Sequence, residues 1–98
     1  MARVELTRGA VADLDRLILT HSLPPDTRER VRRSLGPLGR FPRLGASIDE
    51  RRPDERFVIG PWHWLIAVYE YREPEDRVVV LSIEDGRSAA ATTGRGAK

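Results

Sequence analysis

The segment from Trp62 to Tyr71 constrains the fold of this 98-residue chain more than any other segment. Successive residues of a strand point to opposite sides of its sheet, and here both sides carry mostly apolar residues. One side holds Trp62, Trp64, Ile66 and Val68, and the other holds Leu65, Ala67 and Tyr69. A strand that is apolar on both sides is typical of the middle of a sheet with both faces covered. The segment therefore predicts a central strand.

Two further strands are predicted beside it. Residues 56–59 form the first, and Gly60-Pro61 supplies the turn into the central strand. Residues 77–83 form the last, since they are rich in β-branched side chains, and a charged loop around Pro74 precedes them. Consecutive strands joined by short turns favour an antiparallel meander.

A short strand and two helices are predicted before the meander. Val4 and Leu6 alternate with charged neighbours, as in a strand, and Thr7 can then cap a helix that runs to about His21. A second helix is expected to begin near Pro25 or Asp26 and to end or kink at Gly36-Pro37. The apolar stripes that would face the sheet are Val11, Leu14, Leu17 and Ile18 in the first helix and Val31, Leu35 and Leu38 in the second.

The predicted element order is β-α-α-β-β-β. This is an α+β fold in which two helices pack on one face of a small antiparallel sheet, with the first strand at its edge. Residues 39–54 are expected to form an irregular connector, whose length is typical of a functional loop. We expect one domain over residues 1–88 and a disordered tail over residues 89–98, because the tail lacks the apolar content needed to order itself.

The composition excludes several classes of function. The absence of cysteine excludes disulfides and thiolate metal sites, and two histidines that lie far apart in the sequence make a zinc site improbable. No metal and no cofactor are therefore expected. The charged opening residues do not resemble a signal peptide, and no apolar run approaches the ~20 residues of a membrane helix. We expect a cytoplasmic protein without a membrane partner.

Arginine supplies nearly all of the positive charge, with Lys98 the sole lysine. Arginine suits phosphate recognition, although a genome biased toward arginine codons explains the enrichment equally well. In the second helix, Glu29 interrupts a group of arginines at positions 28, 30, 32 and 33, which spreads over more than one helix face. This arrangement favours a surface that faces a protein partner over a nucleic-acid patch.

Several short motifs, placed along this element order, resemble the RelE/ParE superfamily of toxins from type II toxin–antitoxin systems. The similarity covers about residues 3–88, and its strength lies in the order and spacing of the motifs. They occupy residues 6–14 (LTRGAVADL), 38–45 (LGRFPRLG), 56–62 (RFVIGPW), 68–71 (VYEY) and 77–87 (RVVVLSIEDGR).

The resemblance implies a toxin that inhibits growth when it is free of a cognate antitoxin. It also implies two alternative mechanisms, since RelE-like members cleave mRNA on the ribosome whereas ParE-like members poison DNA gyrase. A third alternative is an attenuated relative that only binds its antitoxin. The fold alone does not decide between them.

Ribosome-dependent cleavage requires groups that activate a hydroxyl, stabilise the phosphate and protonate the leaving oxygen. The resemblance assigns the basic group of the first hairpin strand to Arg56 and the arginine after the last strand to Arg87. The family's central-strand arginine falls at His63 when counted from the Gly60-Pro61 turn, or at the inert Ile66 when counted back from Tyr69.

Each of these candidates also has an ordinary structural explanation. Arg56 can be a solvated strand residue, His63 can pack between the tryptophans, and Arg87 can pair with Glu84 or Asp85. No tyrosine or histidine follows Arg87, although RelE-like toxins often have one there. That absence favours ParE-like action on gyrase, with mRNA cleavage as the alternative.

The expected antitoxin is an acidic, amphipathic segment that folds as it binds. Arg28 and Arg32 are the residues expected to orient it. Trp64 belongs to the same predicted interface if the helices leave it exposed, and to the core if they cover it.

Overall fold

The computed structural model describes residues 1–87, which form two helices and a five-stranded sheet. In chain order the elements are β1 (Arg3–Leu6), α1 (Arg8–His21), α2 (Thr27–Leu35), β2 (Ala46–Ser47), β3 (Glu55–Ile59), β4 (Leu65–Arg72) and β5 (Arg77–Asp85). Among these residues, neither helix has the length and apolar content needed to cross a membrane. The predicted disordered tail lies outside the described residues.

The five strands are arranged in the order β1-β5-β4-β3-β2. The pairs β2–β3, β3–β4 and β4–β5 are antiparallel, whereas β1 is parallel to β5, with Val4 opposite Val78. The predicted α+β fold and the position of β1 at the edge are confirmed, but the prediction of a wholly antiparallel sheet is wrong for this pair. Neighbours joined by short turns must reverse direction, and no such turn joins β1 to β5.

α1 begins where the sequence predicts. The side chain of Thr7 accepts a hydrogen bond from the Ala10 N–H at 3.0 Å, which is an N-cap interaction. The same hydroxyl donates to the carbonyl oxygen of Leu81 at 3.2 Å. One side chain therefore caps the helix and fixes its start against β5.

The core lies between the helices and one face of the sheet. Leu14, Val31, Leu35 and Leu38 are buried as predicted, and Leu17 and Ile18 pack against them while partly exposed. The sheet contributes Leu65, Ala67, Tyr69, Val78, Val80 and Ile83. The prediction is wrong for Val11, which is 44% exposed because it faces an open space between the two helices.

β4 begins at Leu65, three residues later than predicted. Residues 61–64 form a turn in which the Leu65 N–H donates to the carbonyl oxygen of Trp62 at 3.0 Å. A Cβ atom on Gly60 would lie 2.7 Å from the Leu65 side chain, so the turn requires glycine at that position. Trp62 and Trp64 therefore belong to the turn and not to a strand face.

The predicted irregular connector is partly ordered by the buried side chain of Tyr69. Gly45 donates its N–H to the Tyr69 hydroxyl at 2.9 Å, and the Arg56 guanidinium donates to the Gly45 carbonyl at 2.9 Å. A Cβ atom on Gly45 would lie 2.8 Å from that hydroxyl, which only glycine avoids. This anchor holds β2 beside β3.

Candidate functional site

An apolar groove lies between α1, α2 and the edge strand β1. Its volume is about 490 Å³. The apolar side chains that line it are Val4 and Leu6 from β1, Val11 and Leu14 from α1, and Val31 and Leu35 from α2. Because Val11 remains exposed there, the groove offers apolar surface that residues 1–87 do not cover.

Two arginines of α2 lie at this groove. Arg28 donates through Nε at 3.1 Å and Nη2 at 2.6 Å to one carboxylate oxygen of Asp15, which connects the two helices. Arg32 also lines the groove and approaches Glu29 only at 3.7 Å. Such exposed pairs contribute little to stability, so both cations can exchange partners at small cost. The partner-binding role of Arg28 and Arg32 stays a prediction.

Arg30, on the same helix, points away from the groove. Its guanidinium lies 5.9 Å from the centre of the Trp62 ring, and its Nε donates to Asp26 at 2.9 Å. The arginines of α2 therefore do not form one continuous basic patch, in agreement with the interruption noted in the sequence.

Trp62 and Trp64 form a small aromatic cluster next to the core. Their ring centres are 5.9 Å apart and their planes differ by 15°. Both side chains are half-buried, and the Arg87 guanidinium lies 4.7 Å from the centre of the Trp64 ring. The sequence offers two alternatives for Trp64, which are exposure at an interface and burial in the core. The structure shows an intermediate arrangement, because the core covers part of the ring and a cation faces it. Trp64 does not line the apolar groove.

The carboxylate of Asp85, the last residue of β5, binds the side chain of Arg87 in the segment that follows. It accepts hydrogen bonds from Arg87 through Nε and Nη2, both at 3.1 Å, and His21 Nε2 lies 3.2 Å from it. The Asp85 side chain is only 12% exposed. Hydrogen bonds from Arg87 hold the pKa of Asp85 below its usual range. The ion pair that the sequence offers as an alternative role for Arg87 is therefore present.

The three candidate catalytic residues do not lie in one cluster. Arg56 is opposite Tyr69 on β3, whereas Arg87 follows Asp85, which is opposite Leu65. The four residue steps from Leu65 to Tyr69 along β4 correspond to about 13 Å. His63 is exposed in the turn between Trp62 and Trp64, at the same end of the sheet as Arg87. Residues 1–87 contain no group of side chains suited to hold a metal ion.

The opposite face of the sheet carries a second apolar surface. The pairing register places Phe57 beside Val68, and Ile59 beside Ile66, on the side that points away from the buried Ala67 and Tyr69. Ile59 is 55% exposed, and the other three side chains are half-buried. We call these four residues the open-face patch. The sequence predicts a strand covered on both faces, but in the part of the chain that the structure describes both helices lie on the other face.

Charged side chains border the open-face patch. Glu55 and Glu70 are opposite each other on one side of it, and Glu84 is opposite Ile66 on the other side. Two of these carboxylates have arginine neighbours, since Arg72 donates to Glu70 at 2.8 Å and Arg52 lies 3.6 Å from Glu55. The patch is therefore bordered by carboxylates, two of which form exposed ion pairs.

Three comparisons with known proteins bear on this geometry. No protein-family profile matches the chain, and no curated protein sequence is significantly similar to it. Solved structures are similar in fold. The toxin–antitoxin complex RelBE from E. coli contains a chain that is 18% identical, covers 87% of this chain and 96% of its own, and has a TM-score of 0.65.

Two further structures give the same result. A chain of the chromosomal ParDE system from P. aeruginosa is 19% identical, covers 87% of this chain and 96% of its own, and has a TM-score of 0.67. A chain of the RelBE2 complex from Mycobacterium tuberculosis is 22% identical, covers 86% of this chain and 90% of its own, and has a TM-score of 0.60. The chain therefore has the α+β fold of these structures over most of its length.

Proposed function

We propose that this chain is a RelE/ParE-superfamily toxin, the component of a type II toxin–antitoxin system that inhibits growth when it is free of antitoxin. The observation that carries the proposal is the match in fold, over 86–87% of the chain, to chains from solved toxin–antitoxin complexes of both the RelBE and ParDE kinds. The sequence motifs follow the same element order, which gives independent support.

The antitoxin binds in the apolar groove between α1, α2 and β1. Val11 offers exposed apolar surface there, so a partner that covers it gains a hydrophobic contribution of roughly 25 cal/mol per Å² buried. Arg32 offers a cation at the rim that a carboxylate of the partner can reach, and Arg28 offers a second one once its pair with Asp15 exchanges. An acidic, amphipathic segment matches both features.

The target of the toxin is DNA gyrase, and inhibition does not involve catalysis by this chain. Cleavage of RNA requires a phosphate-stabilising cation and an acid or base within reach of one another. Here both candidate cations are already engaged, since Arg56 donates to the carbonyl oxygen of Gly45 and Arg87 to the carboxylate of Asp85. The engagement of both cations supports the ParE-like mechanism over the RelE-like one.

The second candidate is ribosome-dependent mRNA cleavage, and one observation favours it. His63 is exposed at the same end of the sheet as Arg87, whose guanidinium lies 4.7 Å from the ring of the neighbouring Trp64. An imidazole, which can act as a general acid or base, therefore lies at the same end of the sheet as a cation. Release of Arg87 from Asp85 is required before it can bind phosphate.

Controlled expression of the toxin without its partner separates these mechanisms. We expect growth arrest, loss of plasmid supercoiling and intact messages. Cleavage within the codons of translated messages, abolished by Arg87→Ala and by His63→Ala, would instead establish the RelE-like mechanism. Normal growth, normal supercoiling and intact messages together would leave only an attenuated relative that binds its antitoxin.

Two charge reversals on α2 test the antitoxin site. Arg32→Glu alters a cation that lines the groove, whereas Arg33→Glu is a matched control on the same helix outside it. With the product of the adjacent reading frame as ligand, Arg32→Glu should slow association and weaken its salt dependence, and Arg33→Glu should change neither. Val11→Asp should mainly speed dissociation. Identical rates for all of these variants would place the interface elsewhere.

A further inference from the structure

We propose that the open-face patch of Phe57, Ile59, Ile66 and Val68 is the surface through which this toxin binds its target. The part of the target that binds the patch is a protein segment in which apolar side chains lie between basic ones. This inference rests on the proposed function, but it concerns a face of the sheet that the antitoxin groove does not include.

The first argument is the apolar area of the patch that none of the described residues covers. The two pairs Phe57–Val68 and Ile59–Ile66 are adjacent along β3 and β4, so the four side chains form one continuous surface. The helices cover the other face of these strands, where Leu65 and Ala67 are fully buried. A contiguous apolar surface of this kind, with a partly buried aromatic residue, is typical of a protein-binding site.

The second argument is the sign of the charges around the patch. Glu55 and Glu70 border one side and Glu84 borders the other, while Ser82 donates to the Glu84 carboxylate at 2.9 Å. Glu55 and Glu70 have exposed arginine neighbours at 3.6 Å and 2.8 Å, which are weak pairs that a partner can replace. Carboxylates at these positions repel the phosphates of a nucleic acid and attract lysine or arginine.

The same charges disfavour a second copy of this chain as the occupant. Packing of two identical open faces brings carboxylates of one copy close to carboxylates or apolar side chains of the other. Like charges in such positions destabilise an interface. A different protein with cations beside its apolar residues avoids this cost, so the complementary partner is heterologous.

Ile59→Arg tests the proposal because Ile59 is the most exposed residue of the patch, so its replacement should leave the fold intact. The matched control is Leu19→Arg, which adds the same charge on α1 at a side chain that is 82% exposed and outside both surfaces. Ile59→Leu is the conservative control. Growth arrest after induction measures activity without requiring knowledge of the target, and a thermal melt verifies folding.

We expect Ile59→Arg to abolish growth arrest and to lower affinity for purified DNA gyrase at least tenfold. Its melting temperature and antitoxin affinity should remain those of the wild type. Leu19→Arg and Ile59→Leu should arrest growth normally. Glu84→Gln should weaken gyrase binding by about twofold to fivefold at low salt and less at high salt, as expected for a single exposed pair.

Other outcomes overturn the inference. If Ile59→Arg still arrests growth, the patch is not the target site, although the proposed function stands. Tighter binding of this variant to a single-stranded RNA, with toxicity retained, would identify the face as a nucleic-acid surface. A wild-type dimer that Ile59→Arg dissociates would identify it as a self-interface. A wild-type chain that does not arrest growth overturns the proposed function and the inference together.

Discussion

The buried hydroxyl of Tyr69 provides a direct test of how the connector is held to the sheet. The side chain is 0% exposed, and its hydroxyl accepts the Gly45 N–H at 2.9 Å. Tyr69→Phe retains the ring and leaves that N–H buried without its partner, which costs about 1–3 kcal/mol. For a domain of this size each kcal/mol lowers Tm by about 4–8 °C. We therefore expect Tm to fall by at least about 4 °C.

Tyr71→Phe is the matched control, since it makes the same change on the same face of β4. The Tyr71 hydroxyl donates to the exposed carboxylate of Asp76 at 2.9 Å, and water can replace this partner. We expect a loss below about 1 kcal/mol. Urea unfolding measures both variants, and hydrogen exchange at Ala46 and Ser47 should accelerate only in Tyr69→Phe. Equal unfolding midpoints for the two variants would refute the proposed anchor.

Two further predictions concern the core and the segment after β5. Leu14→Ala removes a buried side chain and should lower the free energy of unfolding by about 2–5 kcal/mol. Leu19→Ala changes an exposed side chain of the same helix and should lower it by less than about 0.5 kcal/mol. Equal unfolding midpoints for the two variants would contradict the packing of α1. Arg87 lowers the pKa of Asp85 in the folded state, so ionised Asp85 contributes stability above its unfolded pKa of about 3.9, and this contribution is lost as pH falls through the folded pKa. The stability difference between wild type and Asp85→Asn should therefore shrink between pH 6 and pH 2, and a difference independent of pH would contradict the ion pair.

Local signals in the sequence predict most of the elements because they act within one helical turn or one strand. Thr7 is an N-cap, and its hydrogen bond with the Ala10 N–H can be predicted from the local sequence alone. Spacing likewise identifies Leu14, Val31 and Leu35 as core. The same spacing fails for Val11, because periodicity reports the apolar face of a helix and not whether a neighbouring element covers it.

The errors concern one local turn that strand propensity conceals and several features that depend on distant parts of the chain. Trp62 and Trp64 have high strand propensity, yet Gly60 and the backbone bond from Leu65 to Trp62 fold them into a turn. The parallel pairing of β1 with β5, and an outer face of β4 that residues 1–87 leave uncovered, both follow from the arrangement of the whole sheet. For the candidate site, the sequence proposes Arg28, Arg32 and Arg87, and it offers Glu84 or Asp85 as the ion-pair partner of Arg87. The structure shows that Asp85 is the partner and that a groove lies beside the two arginines of α2, which no local pattern predicts.

The two proposed surfaces lie on opposite sides of the sheet, and this separation sets a requirement for inhibition by the proposed antitoxin. The groove reaches β1, whereas Ile66 and Val68 lie on β4, two strands away at about 4.8 Å per strand. A segment that leaves the groove must also pass around the sheet edge, a path of roughly 20 Å that needs about six extended residues. We therefore expect an antitoxin fragment that fills only the groove to bind without restoring growth, and a fragment extended by about six residues past β1 to restore it. Full neutralisation by the short fragment would show that the groove itself controls toxicity.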